Sequence, residues 1–97
     1  MSRSTVERRL SDVAARLKHL REELGVADEQ LAHLADEADD ARIRALVSET
    51  PVAEHDHHEA QKHADAMQRH RTAVLTEIEQ LERTQDELLD RLTARPD

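Results

Sequence analysis

The stretch LKHLREELGVADEQLAHLADEADDA, residues 17–41, decides the fold. Its apolar residues return after alternating steps of three and four, and the rhythm continues on both sides as Val6, Leu10, Val13, Leu17, Leu20, Leu24, Ala27, Leu31, Leu34, Ala38, Ala41 and Ala45. A second run follows as Ala60, Ala64, Met67, Arg71, Val74, Ile78, Leu81, Gln85, Leu88 and Leu92. Such spacing is the a/d seam of a coiled coil. Two seams in one chain of 97 residues predict a single all-α domain over 1–97, an antiparallel two-helix coiled-coil hairpin.

Composition agrees with that reading. There is no Phe, Tyr or Trp, one Gly and two Pro, so a thick globular core is excluded and long helices are favoured over strands. No run approaches the roughly 20 apolar residues that span a bilayer, and the N-terminus lacks the apolar run of a secretory signal. A cytoplasmic protein is therefore expected. The lack of Cys removes disulfides and thiolate metal sites. Arg outnumbers Lys twelve to two, the bias of a GC-rich genome.

The net charge of -8 is concentrated in the middle of the chain, where residues 28–59 hold ten acidic and two basic side chains. That distribution argues against nonspecific binding to nucleic acid and to anionic membranes.

Start and stop signals place helix 1 at about 4–47, a turn at about 48–51 with an acidic, histidine-rich tip, and helix 2 at about 51–93, ahead of Pro96. Ser4 with Glu7 is a capping-box pattern. Pro51 disfavours helix at Thr50 and suits the first position of a new helix, with Thr50 as its cap. Asp56 with Glu59 is an alternative start. Gly25 falls inside helix 1, and a break there would use Asp28 as a fresh cap; the unbroken seam favours one helix. Pairs such as Asp12 with Arg16 and Asp65 with Arg69 are spaced for i, i+4 ion pairs.

If the arms pair antiparallel, the numbers of facing seam residues add to a constant. Leu17 with Leu81, Leu20 with Ile78, Leu24 with Val74 and Leu31 with Met67 all give 98, which centres the turn on Glu49. A register half a heptad longer centres between Val52 and Ala53 and fits the Asp56 cap. In the first register Arg71 faces Ala27 and Gln85 faces Val13, small partners past which a polar side chain reaches solvent or by which it specifies register.

A lone helix pair buries only a narrow stripe. Leu75 and Leu89, one residue off the seam, widen it and predict a homodimer of hairpins forming a four-helix bundle. Ile43, Leu46, Val47 and Val52 add apolar surface near the turn, either closing the hairpin end or forming an acid-rimmed docking site for a protein partner. His55, Glu59 and His63 share a stripe at i, i+4, i+8 with the donor types of a zinc or iron site, and His33 and Glu37 are candidates to join them from the first arm. No nucleophile elbow, phosphate loop or enclosed pocket is legible, so no enzyme activity and no obligatory cofactor are expected.

The expected function is thus a structural or adaptor protein acting through protein–protein contact. A coiled-coil hairpin with an acidic tip is also similar in outline, over the whole chain but without a shared motif, to the Gre-type transcription factors. That resemblance implies RNA polymerase as partner, contacted through Glu49, Glu54 and Asp56. A histidine and carboxylate metal-binding bundle is the third reading.

Overall fold

The computed structural model describes residues 1–94, and over them the chain forms α1 (Arg3–Ser48) and α2 (Pro51–Thr93), joined by Glu49 and Thr50. The helices run antiparallel, as the two seams require. Pro96, expected to end α2, lies outside the described residues. The chain packs as two units, Met1–Leu24 with Val74–Asp97, and Gly25–Ala73.

In the first unit Leu17, Leu20, Val74 and Ile78 form the buried core, with Val13, Leu24 and Leu81 packed against it. These residues belong to facing pairs of the shorter register. Each fully buried Leu or Ile contributes roughly 1.5–3 kcal/mol by leaving water. Outside the core, Arg16 meets Glu77 at 2.9 Å and Arg21 meets Glu82 at 3.9 Å. Arg16 was expected to pair with Asp12 along its own helix. It reaches across instead, because residues flanking a coiled-coil seam converge between helices.

The second unit has a thinner core, in which Ala27, Ala38, Ala41 and Ala64 are buried and Leu31, Leu34 and Met67 are half-buried. Ala27, opposite Arg71 in this register, is covered, and the Arg71 guanidinium bonds the Asp28 carboxylate beside it. Asp28 therefore caps nothing, and α1 runs through Gly25 without a break. Asp65, expected to pair with Arg69, accepts a hydrogen bond from the Gln61 amide at 2.9 Å.

The turn is fixed by two caps. Glu49 takes a left-handed conformation with φ of 51°, and its N–H donates to the Ala45 carbonyl at 3.0 Å, the αL termination of a helix. The Thr50 hydroxyl then accepts from the Ala53 N–H at 3.2 Å, with Pro51 at the first helical position. This turn belongs to the shorter register, and Asp56 lies inside α2. At the other end the cap of α1 is Ser2, whose hydroxyl accepts from the Thr5 N–H at 3.2 Å. The expected start at Ser4 is two residues late, and Glu7 pairs with Arg3 at 3.0 Å.

A Cβ built on Gly25 meets nothing within 4 Å, so Gly25→Ala is expected to stabilise the fold by about 1 kcal/mol through helix propensity alone. Glu49→Gly relieves the left-handed strain at some cost in unfolded-chain entropy and should gain about 0.5 kcal/mol. Urea unfolding checks both, and a lowered midpoint for either variant would contradict this geometry.

Candidate interaction surface at the turn

Every apolar seam residue expected in α1 and α2 is buried or half-buried, which leaves the off-seam apolar residues to be placed. Ile43 is 47% exposed, Leu46 65%, Val47 80% and Val52 71%. They do not close the hairpin end. The reason is helical phase: Ala41 and Ala45 take the seam-facing positions in the last turns of α1, and at 100° per residue Ile43 and Val47 project to the opposite side. All four side chains therefore face away from the hairpin's own core.

Close by, Arg42, Ala45, Leu46, Glu54, His57, His58 and Gln61 line an open groove of about 450 Å³. Ala45 and Leu46 supply the apolar part of its lining. Its one guanidinium is already engaged, since Arg42 donates to Asp39 at 2.8 Å. The carboxylate of Glu54, in the first turn of α2, sits where the positive end of the helix dipole favours it.

His57 is a seam residue that the sequence pattern left out. It is half-buried and stands opposite Ala41, itself buried. Extending the rhythm of α2 backwards through Ala60 by steps of three and four lands on His57 and Ala53, so the signal is present in the spacing and masked by the polarity of the imidazole. With His57 included, the polar seam residues are His57, Arg71 and Gln85, two heptads apart, facing Ala41, Ala27 and Val13.

The candidate metal ligands fare differently. His55 and His63 are exposed and Glu59 is half-buried. His55 and His63 lie eight residues apart on one helix, about 12 Å at 1.5 Å per residue, too far for one ion with nitrogen ligands near 2 Å. His33 Nε2 lies 3.0 Å from the Glu37 carboxylate on α1 itself. Among the described residues no group of three or more His, Cys, Asp or Glu side chains is placed to hold a metal ion. Of the residues expected to widen the stripe, Leu75 is half-buried and Leu89 is 44% exposed.

Among the described residues no helix is long and apolar enough to cross a membrane. Compared with protein-family models, curated proteins and solved structures, the chain matches none.

Because the patch residues are exposed and lie outside the core, Ile43→Ser, Leu46→Ser and Val47→Ser should each change stability by less than about 0.5 kcal/mol. Leu20→Ala, in the core, should cost about 2–5 kcal/mol. Thermal melts followed by circular dichroism separate the two classes; a large loss from the patch variants would return those side chains to a structural role.

Proposed function

We propose that this protein is a non-catalytic coiled-coil adaptor of the cytoplasm that engages another protein through its turn end. The observation that carries the reading is the solvent exposure of Ile43, Leu46, Val47 and Val52 beside a seam that is otherwise covered. Contiguous exposed apolar side chains rimmed by polar ones are typical of protein-binding surfaces. The charge of the surrounding segment, ten acids to two bases over residues 28–59, keeps such a patch soluble while it is free.

RNA polymerase, implied by the outline likeness to Gre-type factors, would be contacted chiefly through the carboxylates of Glu49, Glu54 and Asp56. The patch favours instead a contact made first by apolar burial, with charge selecting the partner.

A second contact is carried by Leu89, the one large apolar side chain of the later part of α2 that is exposed among the described residues. We propose that it and Leu75, two heptads away on the same side, pair two hairpins into a four-helix homodimer.

A photo-crosslinking residue placed at Val47 in the source cell is expected to give a discrete adduct with another protein, whereas the same residue at Arg8 gives none. Absence of a Val47-specific adduct would overturn the adaptor reading. Light scattering on purified protein should give twice the chain mass, reverting to the chain mass in Leu89→Glu; an unchanged mass in that variant would remove the dimer contact.

A further inference from the structure

We propose that the outward stripe of α1 over residues 36–47 is the docking face for a basic amphipathic helix of a partner protein, an inference that rests on the adaptor reading above. Asp36, Asp39, Asp40, Ile43, Leu46 and Val47 recur at i, i+3, i+4, i+7, i+10 and i+11, the spacing of one helix face, and all six are exposed. The face is divided along its length. Its end nearest the turn is apolar, and its other end is acidic.

Charge on the stripe is available to a partner. Asp39 is held by Arg42, but Asp36 and Asp40 make no ion pair among the described residues. No basic residue stands in the last turn of α1, so the negative pole of its dipole adds to the same field instead of being offset. A partner carrying Lys or Arg is favoured in encounter and in register. The same field disfavours the other occupants. A second copy would bring like charge against like, and nucleic acid and anionic lipid would do the same.

Geometry sets the size of the partner element. Eleven steps of about 1.5 Å make the stripe about 16 Å long, which three turns of helix cover. Such a helix lays apolar residues at i, i+3, i+4 over Ile43, Leu46 and Val47, and its Lys or Arg side chains one to two turns further on reach Asp36 and Asp40. This is the helix-on-groove mode of recognition, with charge fixing the direction of the bound helix.

The test uses a fluorescein-labelled, 15-residue helical peptide with three leucines at one end of a face and three lysines at the other. It is titrated by polarisation against the full chain, beside a twin in which Glu replaces Lys. The lysine peptide is expected to bind saturably and the twin at least about tenfold more weakly. The triple variant Ile43→Ser, Leu46→Ser, Val47→Ser should lose about tenfold or more, with its helicity checked by circular dichroism. Asp36→Asn with Asp40→Asn, which leaves the apolar patch intact, should lose several-fold and flatten the salt dependence.

Equal binding of the twin would overturn the basic partner and leave the adaptor reading standing. Binding of neither peptide at millimolar concentration would also overturn it; the adaptor reading would fall with it only if Val47 gives no adduct. Association of the chain with itself that strengthens with salt and disappears in the triple variant would name a second copy as the occupant and sink the proposal.

Discussion

The structure depends on a match of sizes across a narrow seam. With no aromatic residue in the chain, the hairpin has no thick core to fix one pairing among several, and register must be set layer by layer. His57, Arg71 and Gln85 recur every two heptads against Ala41, Ala27 and Val13, while Ile78 and Leu81 meet Leu20 and Leu17. Sliding α2 by one heptad would set Arg71 against Leu34, Gln85 against Leu20 and Ile78 against Ala27. Polar groups would then be crowded by leucine, and apolar ones would face gaps, each a loss of order 1–3 kcal/mol. The polar seam residues thus weaken the packing slightly and forbid the neighbouring register, a known use of polar a and d positions.

From that register the surface follows. The turn must fall at Glu49 and Thr50, Ala41 and Ala45 take the inward positions of the last turns of α1, and Ile43 and Val47 are carried to the outside by helical phase. Alanine in the seam near the turn and large apolar residues outside it are two aspects of one arrangement. The hairpin buries little of its large apolar surface there, and Ile43, Leu46, Val47 and Val52 stay exposed.

The seam, the helix count and the Thr50–Pro51 start were legible because each rests on local spacing and local stereochemistry. Other features depended on what lies across the hairpin. Arg16 had an acid at the right spacing on its own helix, yet Glu77 on the facing helix wins, and no one-dimensional pattern weighs the two. Ser4 with Glu7 satisfied the capping box, but Ser2 caps a helix that begins earlier, since any early Ser can serve once the seam at Val6 needs covering. His57 was hidden by its chemistry, not by its position. The turn-end patch was legible as residues and undecided as a role, because exposure depends on the phase at which α1 stops. His55, Glu59 and His63 shared a stripe, and the rise of the helix spread it over about 12 Å.

The pairing register of the two helices is measured directly by crosslinking in a chain that lacks native Cys. Two variants are compared, Arg16→Cys with Glu77→Cys and Arg16→Cys with Arg91→Cys, using a short bis-maleimide and separating intramolecular products by mass. The positions on α2 share one flank and differ by two heptads, about 21 Å of helix. With facing residues adding to 98, intramolecular crosslinking is fast between positions 16 and 77 and slow between 16 and 91. The reverse order would place the turn beyond Val52 and contradict both the seam and the surface built on it.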